Sequence, residues 1–158
     1  MIDLTKSLLV VRIRGTINVK EPVKRILEQL HLTKRFRATI IPDTPDYRGM
    51  LEVAKNHITW CSVNASFISK LIKERGRMEG WKPLTLNEIK KMNFNSFNDL
   101  AESLEKGEIV LKEIKGMKPF FALSPPKGGF KRSTRRLYSQ KGVLGENPEL
   151  ISIVEKMI

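Results

Sequence analysis

Asp43 and Asp46 are the closest pair of carboxylates in any loop-like stretch of the chain, and a metal-dependent nuclease would need such oxygens converging on magnesium. Both fall in DTPDYRGM, which reads as the opening of a helix. Thr44 is placed to cap it, Pro45 takes the first helical position and Asp46 meets the positive end of the dipole. Helix-start chemistry therefore explains the pair without a metal. His31 and His57 are the only histidines, each at a predicted helix end where a polar tip can face solvent or a phosphate. No serine sits in a nucleophile elbow, and neither GxxxxGK[ST] nor GxGxxG occurs. Cys61 is the single cysteine, which excludes an internal disulfide and a cysteine-rich zinc site and reads as a small strand residue. These residues point to no enzyme and call for no cofactor.

Binding accounts for more of the sequence than catalysis does. Between Glu113 and Glu146 there is no acidic residue, while Lys115, Lys118, Lys127, Lys131, Arg132, Arg135, Arg136 and Lys141 all fall there. Such a block repels itself unless something anionic lies against it. In KGGFKRSTRR, Gly128 and Gly129 let the backbone pass close to a phosphate, and Lys131, Arg132, Arg135 and Arg136 neutralise it. Phe130, and similarly Tyr138, offers a ring to an unstacked base. The competing role for Phe130 is core packing. Arginine forks and flexible glycines suit folded RNA better than a regular duplex groove, and no helix-turn-helix or zinc-finger pattern stands out. Membrane binding is disfavoured because the stretch has no amphipathic helical stripe.

The elements that must carry these residues are legible from periodicity. SLLVVRIRG, residues 7–15, reads as a strand with Leu9, Val11 and Ile13 on one face and Val10, Arg12 and Arg14 on the other, which sets both guanidinium groups outside the core. Asn18 and Glu21 form a capping-box pattern for a helix whose stripe is Val23, Ile26, Leu27 and Leu30, ending near His31. KRFRATIIP, residues 34–42, resumes strand character and opens on Lys34, Arg35 and Arg37. A helix from Thr44, burying Tyr47, Met50, Leu51 and Ala54, and the strand ITWCSV at 58–63 complete a β-α-β-α-β unit, a small sheet covered by two helices. A helix follows from the Asn64 cap to Gly76, with Val63 stapled to Ile68. A second capping box, Thr85 with Glu88, opens another, and SFNDLAESLEKG adds a third. IVLKEI and PFFAL read as strands, residues 124–146 as one loop, and NPELISIVEKMI as a closing helix capped by Asn147. The division expected is a core unit at 1–63 and an extension at 64–158 packed on the same domain.

Whole-chain properties agree with a polyanion partner. At 158 residues one core is the default, burying roughly two thirds of the unfolded surface. The formal net charge of +12 favours nucleic acid or an anionic membrane. It is unevenly placed, with both ends basic and residues 58–113 nearly neutral. No run approaches the length of a membrane span, and Met1 to Leu9 lacks the plan of a signal peptide, so a soluble cytoplasmic protein is expected.

LLVVRIRGTINV, followed by LEQLHLTKRFRATIIPDTPDYRGMLEVAKNHITW, resembles the ribosomal large-subunit protein thirty family. The leucine-rich helix end, basic turn, strand, DTP-x-x-RGM helix start and following strand come in that family's order. Residues 64–158, with NASFISKLIKERG and PFFALSPPKGGFKR, are similar to the additional part of archaeal and eukaryotic members. The archaeal form matches more closely, because the first strand begins by about residue 7 without the long basic segment that precedes it in eukaryotes. The resemblance implies an α+β fold with a small antiparallel, ferredoxin-like sheet, a helical insertion and a C-terminal strand-loop-helix. It implies a non-enzymatic protein bound to large-subunit ribosomal RNA, supporting assembly, with neighbouring large-subunit proteins and the 5S RNA as further partners. Carried onto this chain, the basic positions are Arg12 and Arg14, then Lys34, Arg35 and Arg37, then Arg48, and Lys127 to Arg132. Gly49, a glycine inside a helix, would then serve a close approach. The alternative function is a stand-alone RNA-binding factor of another ribonucleoprotein.

Overall fold

The structure is a computed structural model that describes residues 7–15, 19–114 and 116–158. Strands β1 (Ser7–Arg12), β2 (Arg37–Pro42) and β3 (Ile58–Val63) form its centre, with β1 antiparallel to both neighbours. Three more strands, β4 (Phe121–Ala122), β5 (Ser133–Leu137) and β6 (Gly142–Glu146), extend the sheet to the order β4-β2-β1-β3-β6-β5. β4 joins β2 antiparallel, while β6 runs parallel to both β3 and β5. The fold is α+β, with a mostly antiparallel six-stranded sheet.

Both faces of that sheet are buried, which is why β1 reads as a near-continuous apolar run rather than an alternation. Leu8, Val10, Ile41, Ile58 and Trp60 pack under helices α1 (Glu21–Gln29) and α2 (Pro45–Ala54). On the other face, Leu9, Val11, Ile40, Cys61 and Val63 meet α3 (Ala65–Arg75), α4 (Leu86–Lys91), α5 (Phe97–Glu105) and α6 (Leu150–Glu155). Residues from both halves of the chain thus share one apolar cluster. Ser7 hydroxyl donates to the Leu104 carbonyl, fastening the start of β1 to α5.

Local signals explain most elements. Thr44 Oγ1 accepts from Tyr47 N at 3.3 Å and Asn64 Oδ1 from Phe67 N at 2.9 Å, each satisfying an orphan N–H of a helix start. Gly76 ends α3 in an extended rather than left-handed conformation, and a Cβ there would strike the Ile72 carbonyl. Asn18, the expected cap of α1, lies outside the described residues, and the cap position is taken by Lys20, whose side chain makes no capping bond.

Several expectations are corrected. β2 begins at Arg37, leaving Lys34 and Arg35 in the preceding turn. IVLKEI forms a 3-10 turn over Leu111–Glu113, and PFFAL keeps only two strand residues. Thr85 makes no side-chain cap to α4. The basic stretch is not one loop, because it contains β5 and β6, and the closing helix starts only at Leu150. Asn147 is instead fully buried: its N donates to the Trp60 carbonyl, its Nδ2 to the Val143 carbonyl, and its Oδ1 accepts from Glu149 N. That Asx turn anchors the exit of β6 against β3 before a helix can begin.

Candidate nucleic-acid interface

The basic residues divide by what holds them. Arg12 is a correction: it is 4% exposed, not outward-facing. Its guanidinium donates to the carbonyls of Leu32 (2.7 Å), Arg14 (3.1 Å) and Gly15 (3.1 Å), so the fork closes the turn after β1 onto the segment that follows α1. Burial lowers its pKa from the usual arginine value. Sequence alternation could not show this, since it assigns a face but not whether that face is covered.

Arg48 is also held within the chain. It grips Asp43 through two bonds, Nε to Oδ1 at 2.6 Å and Nη2 to Oδ2 at 2.9 Å, and approaches Glu146 at 3.6 Å. Hydrogen bonding to Asp43 raises its pKa. Asp43 therefore serves as an anchor that ties α2 to the chain leaving β2. Among the described residues no group of three or more His, Cys, Asp or Glu is placed to hold a metal ion.

Several of the other cations gather in two outward-facing groups. Around a cleft of about 390 Å³ stand Arg14, Lys20, Val53, Asn56, His57 and Arg135. Arg14 follows β1, Lys20 precedes α1, His57 precedes β3 and Arg135 lies on β5, so the sheet order assembles residues far apart in sequence. Ile13 N and Arg14 N both donate to the His57 carbonyl, at 3.0 and 3.2 Å, fixing the two segments side by side. The His57 ring is held below its ordinary pKa, first by burial and then by Arg14 and Arg12, so it is mostly neutral at pH 7. Its Nδ1 is buried and finds no hydrogen-bond partner among the described residues.

A second group builds on stacked rings. Phe36 adopts the left-handed conformation, with φ at 64°, pinned because its N donates to the Arg12 carbonyl (2.8 Å) and its O accepts from Leu123 N (3.0 Å). That conformation turns its ring onto Phe130, with centroids 6.2 Å apart and planes 22° from parallel, and Arg35 lies over Phe36 at 4.6 Å. Phe130 thus spends one face on Phe36 and packs against the core. The tip before it is open: Gly128 and Gly129 have φ of 82° and 74°, and nothing lies within 4 Å of a Cβ built at either. Lys127, Lys131 and Lys34 are exposed around this tip and the turn before β2. The base of the loop is tied down, Lys127 N donating to the Lys156 carbonyl and Ser124 N to the Met157 carbonyl.

The other sequence-predicted positions are less grouped. Arg132 lies over Tyr138 at 4.4 Å and 3.9 Å from Glu149. Arg136 and Lys141 are exposed, Lys141 in a left-handed turn at the close of the tight β5–β6 connection. Arg37 bonds Thr33 Oγ1 at 2.7 Å and lies over Phe120. Lys20 escaped the sequence reading because a lone lysine before a helix carries no motif. Cys61 is buried and its thiol is pushed up to about 11 by burial, leaving it an unreactive core residue.

The sequence is similar to those of known proteins. The family model described as "Ribosomal protein L30p/L7e" matches residues 8–58. "Large ribosomal subunit protein uL30" of Nitrosopumilus maritimus is 37% identical over 155 residues, covering 98% of this chain and 100% of the relative. The proteins of that name from Cenarchaeum symbiosum and Ignicoccus hospitalis are each 41% identical, covering 95% and 93% of this chain and 97% and 94% of their own lengths. These matches span the strands, the helical middle and the basic C-terminal part alike, and on them the chain belongs to the uL30 family of ribosomal proteins, in its archaeal form, and not to a family of enzymes.

Proposed function

We propose that this protein is a structural constituent of the large ribosomal subunit that binds ribosomal RNA through its two outward-facing basic groups, and so acts in the cytoplasm as part of the ribosome. The observation that carries the RNA interaction is the cleft in which Arg14 and Lys20, near the start of the sequence, meet Arg135 from far along the chain. Like charges brought together at a solvent-facing cleft without a carboxylate in its lining destabilise the free chain, and a phosphate backbone reverses the sign of that term. Function is then neutralisation plus shape fit, without turnover. Arg135, Arg136, Lys127, Lys131 and Lys141 supply charge, Gly128 and Gly129 give access for the backbone, and Arg12, Arg48 and Phe130 hold the surface in place. Proximity to the 5S RNA and association with neighbouring large-subunit proteins belong to this reading through the family.

The test is sedimentation of the tagged chain from cell extract at moderate and high salt, with sequencing of RNA crosslinked to residues 127–141. Recovery with the large subunit and its RNA supports the reading. A light, ribosome-free complex carrying other RNA overturns it in favour of a stand-alone factor. With purified RNA, changing Arg14 and Arg135 to Ala should reduce the log–log salt slope by roughly 0.7 to 0.9 for each phosphate that the protein no longer neutralises.

A further inference from the structure

Trp81 is 50% exposed and joins neither apolar cluster among the described residues, so folding does not account for it. It stands at the tip of a hairpin fixed by backbone bonds from Met78 N to the Lys82 carbonyl (2.8 Å) and from Trp81 N to the Met78 carbonyl (3.0 Å). The bridge between Met78 and Met117 ties this tip to the chain that leads into β4. Its φ of 63° is an uncommon conformation for a bulky side chain, one the surrounding hydrogen bonds must impose.

Around the indole is a short array of cations and rings. Lys118 Nζ lies 4.6 Å from the Trp81 ring centre and 5.7 Å from that of Phe120. Phe120 meets Trp81 edge-on at 5.9 Å and 67°, and Arg37 covers Phe120 at 4.0 Å. Lys82, the next residue in the chain, is exposed, and Glu79 is the one acidic residue of the tip. A flat, polarisable surface with three cations fits a flat ring attached to an anion.

We propose that Trp81, Phe120 and Lys118 form a stacking platform for one unpaired RNA base, with Lys82 and Arg37 meeting the flanking phosphates. This rests on the RNA-binding reading above and deepens it. The platform sits beside the β4 edge of the sheet, whereas Arg135 lies on the β5 edge, five strand spacings or about 24 Å away. Two attachments so far apart fix the orientation of the protein on its RNA as well as its position.

Trp81 and Trp60 are the only tryptophans, and Trp60 is 3% exposed, so emission quenched by a stacked base reports on Trp81. The full chain is titrated with a ten-nucleotide oligouridylate and, separately, with large-subunit RNA. The expected result is quenching by both, with oligouridylate binding weakened at least about fivefold in Trp81→Leu, less in Trp81→Phe, and also weakened in Lys118→Ala, which keeps the indole. Unchanged buried emission from Trp60 certifies that each variant is folded. Tight binding of large-subunit RNA with Trp81 emission unmoved overturns the platform and leaves the RNA-binding reading standing. Quenching by oligouridylate without retention of large-subunit RNA supports the platform and sinks that reading. Protection of Trp81 by another subunit protein alone, and by neither RNA, overturns the platform in favour of a protein interface.

Discussion

Arginines that look alike in the sequence do different work, and substitution separates them. Arg12→Ala removes a fork that three carbonyls depend on, and should destabilise the fold by about 2 to 3 kcal/mol in denaturant titration. Arg12→Lys should not restore it, because an ammonium lacks the planar spread of donors. Arg135→Ala, on an exposed strand position, should leave stability within about 0.5 kcal/mol and lower RNA affinity instead. His57 makes a pH prediction. Its pKa in the folded chain lies below the unfolded value near 6.5, so the unfolded state binds more protons there. Its contribution to stability is present above that value and is lost as pH falls through the folded pKa. Denaturation midpoints between about pH 7.5 and 5.5 should therefore drop in the parent chain and drop less in His57→Gln. At this scale the sequence showed which residues are cationic but not which are already engaged, since Arg12, Arg48 and Arg132 find partners 20, 5 and 17 positions away.

Elements with a start signal were legible, and those set by distant pairing were not. The helices from Thr44 and Asn64 each use the cap their sequence announces, and β3 has the bounds expected of it. Residues 109–123 misled because an apolar run fits a strand or a buried turn equally well, and here Leu111 and Ile114 reach the core from a 3-10 turn. β5 and β6 lacked any strand pattern of their own. Thr59 on β3 fastens β6, its hydroxyl donating to the Gly145 carbonyl at 3.0 Å, and β5 comes close to β6 at Gly142, where a Cβ would collide with the Arg136 carbonyl. Gly142→Ala should accordingly cost about 1 to 3 kcal/mol and displace Arg135 from the cleft. Gly49 behaves oppositely. It lies exposed in α2 with nothing within 4 Å of an added Cβ, so Gly49→Ala should stabilise the free chain by about 0.5 to 1 kcal/mol. If a neighbour approaches there, as the family resemblance implies, the same change should impair incorporation into the large subunit. Normal incorporation would show that no neighbour needs the space.

For the whole molecule, the second half of the chain acts as the cover for the first. Residues 7–63 alone would leave Leu9, Val11, Ile13, Ile40, Cys61 and Val63 bare on one side of the sheet. A fragment ending at Val63 should bind a dye such as ANS and self-associate on size exclusion, while the full chain does neither. A fragment that stays monomeric and dye-free would identify 1–63 as a self-sufficient unit. The sheet's two borders have a separate consequence. One is β4, only two residues long, and the other is β5, irregular in register and carrying exposed Arg135 and Arg136. Neither offers the long, flat, apolar edge on which a second copy could add strands. Chains in excess of any partner should therefore stay dispersed at high concentration, kept apart by the same exposed arginines that the proposed function sets against RNA.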